Sequence, residues 1–317
     1  MHEDVDNFRV AILAALGNAP ELIEPGRIHR FSTSARASDK AGWCQLFEDG
    51  RAGVFGDFRS GMSSVWTAHR REQTTQAVRA ETAWQLAQAK AKREAQQRLR
   101  QADNAQRNAA LWANSTPVAD GDPVSLYLRR RGLAGPVPEH LRLHPRLIYW
   151  DGGDRGAWPA MVAPLVSPAG RVLALHRTYL TADGCKAPVP TVKKLTGAAG
   201  SLAGACIPLH DPQRGVIGIA EGIETAQAAH LASGLPTVAA YCAGSLAAYV
   251  WPPGVRRIVV FADADRAGAA AALSLKARAM RAGVSAVVLT PTTPGADWCD
   301  VWAQRAAVTV AASEAAA

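Results

Sequence analysis

The chain has 317 residues, enough for an α/β body plus a smaller domain, and its 48% hydrophobic content is ordinary for a globular fold. A formal charge of +8 and a pI near 9.5 suit a polyanionic partner without demanding one. The five cysteines (Cys44, Cys185, Cys206, Cys242, Cys299) are odd in number and include no C-x-x-C pair, which excludes a structural zinc ribbon and a disulfide framework and fits a reducing cytoplasm.

The first residues, MHEDVDNFRV, are acidic where a secretory signal needs positive charge, and a short amphipathic helix is expected there. WCQLFEDGRAGVFGDF follows, with the turn signals Asp49-Gly50 and Gly56-Asp57, so residues 1–68 read as a small β-rich domain. Residues 69–113 lack Gly and Pro and carry nine Lys/Arg against four Asp/Glu. They predict one long polar helix or a pair, continuing through turn formers as a basic helical linker over 69–122. PVSLYLRRRG predicts a short helix with an N1 proline, ending in Arg129, Arg130 and Arg131. Two strands are expected in AMVAPLVS and RVLALHRTYL, after which CKAPVPTVKKLTG brings together Lys186, Lys193 and Lys194, making 123–214 a basic α+β subdomain.

From residue 215 the pattern becomes βαβα. VIGIA, TVAAY, RIVVFAD and SAVVLT alternate with helical stretches, which predicts a parallel sheet covered on both faces over 215–303, with a tail at 304–317. The most apolar stretch, 237–251, contains Gly244 and Ser245 and runs into Pro252-Pro253, too short and interrupted to span a bilayer. A cytoplasmic protein with no membrane partner is expected.

Ligands of such sheets sit at the carboxyl ends of the strands. Glu221 follows the first strand directly, and Asp263 and Asp265 follow the third, so three carboxylates leave one sheet edge. Clustered acids repel one another unless a hard cation lies between them, and oxygen-only ligands suit Mg²⁺ or Mn²⁺, with no zinc expected. Any one of these acids could equally cap the helix that follows it.

Taken together, Glu221-Gly222 and the Asp263-x-Asp265 of DADRAG resemble the Toprim domain of bacterial primases, type IA and type II topoisomerases and small nucleases. The resemblance implies that Asp263 and Asp265 coordinate metal and that Glu221 ligates metal or serves as acid/base. Primases of this family commonly carry a second acid four residues after the Glu; this chain has Thr225 there and Glu224 one residue earlier. Glu224 either substitutes as a ligand or caps its helix. In GADWCDVW, which is similar to the last acidic motif of mobile-element Toprim primases, Asp300 either caps a helix or contacts metal from the outer shell, with Asp297 beside it.

The order GRVLALHRTYL, KKLTG, ACIPL, then the first Toprim strand follows the layout of the primase catalytic core, a likeness running over about 123–301. It implies catalytic roles for Arg177 and for one of Lys193 or Lys194, and nucleic-acid contacts from Arg129, Arg130, Arg131, Arg177 and Lys186. GVFGDFRSGMSSVW resembles the N-terminal segment of plasmid- and phage-borne Toprim proteins. There Arg59, with Trp43, Phe55, Phe58 and Trp66, either holds single-stranded DNA by stacking and charge or forms a small-domain core. The absence of G-x-x-x-x-G-K-[ST] leaves the sequence without a helicase motor of its own. The expectation is a primase-like nucleotidyltransferase of a mobile element, using single-stranded DNA, ribonucleoside triphosphates and a separate replicative helicase. The rivals are a Toprim nuclease and a DNA-binding accessory protein with a vestigial site.

Overall fold

Three sheets organise the chain in this computed structural model, which describes residues 2–34, 39–68 and 76–305. The start of the expected polar helix, 69–75, and the tail beyond 305 lie outside the described residues. The chain divides into two compact units, Met1–Ala95 and Gln96–Ala317.

The first unit contains α1 (His2–Leu16) and the antiparallel strands β1 (Ile28–Phe31), β2 (Gly42–Leu46), β3 (Ala52–Asp57) and β4 (Met62–Thr67), hydrogen-bonded in that order. Phe8 and Ile12 of α1 pack onto Cys44, Leu46 and Phe55 of one sheet face. Helix α2 (Gln76–Ala113) is 38 residues long, and the division between the units falls inside it. Its second half is mostly exposed but is docked through a few residues. Asn108 is buried and donates from Nδ2 to Leu173 O (3.4 Å) and Gly197 O (3.1 Å), while Asn104 donates to Ala198 O (3.0 Å). Asparagine anchors of this kind leave no hydrophobic period, so the composition of the segment reads as linker.

In the second unit, β5 (Thr116–Pro117), β6 (Arg142–Asp151), β7 (Asp154–Val166), β8 (Val172–Tyr179) and β9 (Lys193–Leu195) form an antiparallel sheet in that order. Strand β6 was not expected, because Pro145 breaks its pattern. The proline sits in a bulge between His144 and Leu147, where its missing N–H costs no ladder bond. Helix α3 (Pro123–Arg130) starts where expected, capped by Asp122, whose side chain accepts from the N–H groups of Val124 and Ser125.

The remaining sheet holds β10 (Ile207–Pro208), β11 (Val216–Ala220), β12 (Thr237–Ala239), β13 (Arg257–Phe261) and β14 (Ser285–Leu289) in the order β10-β12-β11-β13-β14. All pairs are parallel except the edge strand β10. Ile217, Ile219, Ile258 and Val260 face α5 (Ala243–Ala248) and α6 (Arg266–Arg281), where Leu246, Ala272 and Leu275 meet them. Ala220, Val259 and Phe261 face the other way, toward α4 (Ile223–Ser233) and the antiparallel sheet. Both faces are covered, which is why the strands read as unbroken apolar runs. Strand β12 stops two residues short of the expected TVAAY, and Tyr241 takes a left-handed φ of 64°.

Candidate active site

Strands β11 and β13 are parallel neighbours in register, Ala220 opposite Phe261, so Glu221 and Asp263 leave the same sheet edge side by side. Both help to line a cavity of about 310 Å³ between this edge and the antiparallel sheet. Asp263 Oδ1 is buried without a hydrogen-bond partner. Burial first, then the charges of Glu221, Asp297 and Asp265, push the Asp263 carboxyl up to about 6. Glu221 is raised too, by burial and then by Asp265, against a hydrogen bond from the Ala243 backbone. Asp265 is exposed and caps α6, accepting from Gly268 N at 2.7 Å. Gly268 is itself dictated by packing, since a Cβ there would lie 2.8 Å from Asp263 O. The glycine lets the first turn of α6 close against the Asp263 backbone and so fixes where that carboxylate points.

Glu224, by contrast, is fully occupied within the protein. Its Oε1 accepts from the Tyr127 hydroxyl at 2.6 Å and its Oε2 from Lys193 Nζ at 2.9 Å, with the side chain 7% exposed. Burial pushes its carboxyl upward, but Lys193 and Tyr127 outweigh that and hold it down at about 2. It is not the N-cap residue of α4, which is Gly222, with no side-chain bond. Glu224 thus anchors a lysine in the cavity that it lines.

Pleat alternation separates the two lysines. On β9, Lys193 pairs in register with Thr178 and Lys194 with Arg177. Lys193 lines the cavity with Lys186 and Arg131. Lys194 lies on the opposite face, donating to Trp150 O (2.8 Å), pairing with Asp151 (3.4 Å) and sitting over the Tyr149 ring. Arg177 shares that opposite face, bonded to Leu195 O (2.7 Å) and the Tyr179 hydroxyl (3.2 Å), and is not among the cavity's lining residues. The residue beside it, His176, takes the groove position instead. It is 8% exposed, its Nδ1 has no partner, and burial depresses it to about 4 although Glu224 pulls the other way. His176 and Tyr127 were missed by the sequence reading. Counting parity from Lys193 across the β8–β9 ladder could have found the histidine, whereas nothing local marks the tyrosine.

Asp297, on the cavity wall, and Asp300 cap the helical stretch 298–305 reciprocally: Asp300 N donates to Asp297 Oδ1 (2.9 Å) and Asp297 N to Asp300 Oδ2 (3.3 Å). Arg129 and Arg130 point away from the cavity, paired with Asp120 and Asp183. In the first unit Arg59 pairs with Asp39 (2.9 Å). There Phe55 and Trp66 turn into the core against Phe8, while Trp43 and Phe58 stack on each other at 5.7 Å.

Among the described residues no three His, Cys, Asp or Glu side chains are already gathered into a metal cage. The donor chemistry nonetheless fits a hard divalent cation: carboxylate oxygens only, one of them buried and unpartnered, each acid raising the cost of ionising its neighbour. Glu221 and Asp263, with the exposed Asp265 at the rim, would hold it. No described helix is long and apolar enough to cross a membrane.

Comparison with known proteins matches residues 216–307 to the Toprim domain and residues 102–206 to a domain of unknown function, DUF7146. No curated protein matches the chain. Among solved structures it is similar to a DNA primase domain from Pseudomonas aeruginosa (16% identity, TM-score 0.34, covering 50% of this chain and 51% of that one). It is also similar to the primase fragment of the bacteriophage T7 primase-helicase (14%, 0.36, 58% and 68%). A third is the RNA polymerase domain of Mycobacterium tuberculosis primase DnaG (16%, 0.35, 68% and 83%). The chain thus spans about half of the Pseudomonas aeruginosa primase domain. The segment that matches the Toprim domain, residues 216–307, is the one that contains the parallel strands β11 to β14.

Proposed function

We propose that this protein is a primase-like nucleotidyltransferase that joins ribonucleotides on a single-stranded DNA template with Mg²⁺. One observation carries the reading: a single cavity sets Glu221 and Asp263 on one wall and Lys193, Lys186 and Arg131 on the other. Carboxylates suit the cation and the attacking hydroxyl, and the cations suit the triphosphate of the incoming nucleotide. A divalent ion held by the acids supplies charge stabilisation to the attacking and leaving oxygens.

The protein's own groups do the rest. The 3′-hydroxyl oxygen bonds to the α-phosphorus of the ribonucleoside triphosphate, the bond to the β-phosphate oxygen breaks, and pyrophosphate leaves. Glu221, its carboxyl raised by burial and Asp265, takes the hydroxyl proton. Lys193, fixed by Glu224, holds the phosphates in place. A separate replicative helicase is the partner this activity calls for.

The test is incubation with single-stranded DNA, labelled ribonucleotides and Mg²⁺. Template-dependent oligoribonucleotides, lost in Asp263→Ala, are the expected result. Shortening of the DNA without incorporation would identify a nuclease instead, and binding without any chemistry would leave an accessory role.

A further inference from the structure

The antiparallel sheet carries a feature that the cavity does not use. Strand β5 pairs only with Arg142 and Leu143, so from Leu147 onward the outer edge of β6 has no strand beside it among the described residues. There β6 and β7 run on as a two-stranded ribbon. One ribbon face is packed: Tyr149 is buried, meets Tyr179 edge-on at 5.1 Å, and lies under Lys194. The other face is bare. It presents Ile148, 73% exposed, and Trp150, 59% exposed, with Arg155 directly opposite Trp150. Arg146 is exposed just below, at the bulge.

Neither Arg146 nor Arg155 forms an ion pair among the described residues. At the tip, Asp151 belongs to the packed face, where it accepts from the Tyr149 hydroxyl and is drawn to Lys194. The bare face therefore combines an exposed indole, an aliphatic neighbour and uncompensated guanidinium groups. A neutral apolar partner would strand those charges away from water. A single nucleic-acid strand satisfies all three, with a base on the indole and phosphates on the arginines. A duplex keeps its bases stacked inside and cannot offer one to Trp150.

Register also gives the face a direction. Along β7, Arg155 and Ala157 share the face of Met161 and Ala163, which pair with Thr178 and His176, and Thr178 pairs with Lys193. The bare ribbon and the cavity wall are thus one continuous sheet face, with Arg155 and Met161 about 20 Å apart along the strand. We propose that the Ile148–Trp150–Arg155 face of the β6–β7 ribbon binds single-stranded DNA and leads it toward the Lys193 side of the cavity. This rests on the preceding reading only in taking the strand to be a template.

The experiment is fluorescence anisotropy of the full chain with labelled oligo-dT and with a blunt duplex of equal length, in EDTA and without ribonucleotides. Trp150→Ala is expected to weaken oligo-dT binding on the order of tenfold, and Trp150→Phe much less, because a ring still stacks. Arg155→Ala is expected to weaken it and to reduce the slope of log Kd against log salt by about 0.7. Duplex binding stays at its wild-type level in all three, and exposed positions leave the melting temperature unchanged. Oligo-dT binding within twofold of wild type in both Trp150→Ala and Arg155→Ala overturns the proposal, as does an equal loss for duplex. A chain that loses strand binding in these variants but makes no primers would sink the primase reading and leave this one standing.

Discussion

The two walls of the cavity handle charge in opposite ways. On the acidic wall, Glu221 and Asp263 form no ion pair among the described residues, and each is raised by burial and by other carboxylates. On the facing wall Lys193 is matched to Glu224 and, behind it, Lys194 to Asp151, whereas Arg131 and Lys186 form no ion pair among the described residues. Glu221 and Glu224 show the contrast within three residues, one pushed above the usual range and the other held far below it. The matched pair fixes Lys193 in the wall, whereas the two unmatched carboxylates are each raised by neighbouring acids. That distinction, rather than acidity, separates a reacting carboxylate from a structural one.

The largest effect should come from breaking the compensated side. Glu224→Ala leaves the Tyr127 hydroxyl unpaired in a buried place and Lys193 unanchored, and is expected to cost about 3 kcal/mol in chemical denaturation. Glu224→Gln, which retains a bond to Tyr127, should cost about half as much by the same principle. If Glu224 were instead a bare ligand, both variants would be stabilising.

Next comes Gly268→Ala. The added methyl meets backbone, not a flexible side chain, so a loss of about 1–3 kcal/mol is expected, with a fall in incorporation as Asp263 shifts. An unchanged melting temperature would show that α6 does not set the carboxylate.

The pH dependence sharpens the uncompensated side. The Asp263 carboxyl is raised from 3.8 to about 6 on folding, so the folded state favours its protonated form. Its contribution to stability is therefore fully present below pH 3.8 and lost as pH rises through about 6. In cation-free buffer, Asp263→Asn should match wild type at low pH and melt higher above about 6. Parallel melting curves across that window would remove the repulsion argument.

The smallest effect separates the lysines. Lys194→Ala removes a half-exposed pair worth at most about 1 kcal/mol and should leave incorporation near wild type. Lys193→Ala should raise the KM for ribonucleotides. Equal KM values in the two variants would contradict the assignment of faces.

The acidic edge was legible because its signal is local: a carboxylate directly after an apolar strand, in a βαβ pattern that dictates which edge it leaves. The basic wall was legible only as a set. Arg177, Lys193 and Lys194 stand out by type, but register decides which of them faces the cavity, and register depends on which strands pair. Sequence alone offered no β6, since Pro145 disguised it, and no docking of the second half of α2, since Asn104 and Asn108 act through hydrogen bonds. Glu224 could be weighed as ligand or cap but not as an anchor, because Tyr127 lies 97 residues earlier in the chain and Lys193 31 residues earlier.

The central claim is that Glu221 and Asp263 remain uncompensated until a divalent cation binds. Thermal melting of the full chain at pH 8 against increasing Mn²⁺ tests it most directly. A melting temperature that climbs with Mn²⁺ in wild type and in Lys194→Ala, but not in Asp263→Asn, is the predicted result. The same climb in Asp263→Asn, or none in wild type, would contradict it.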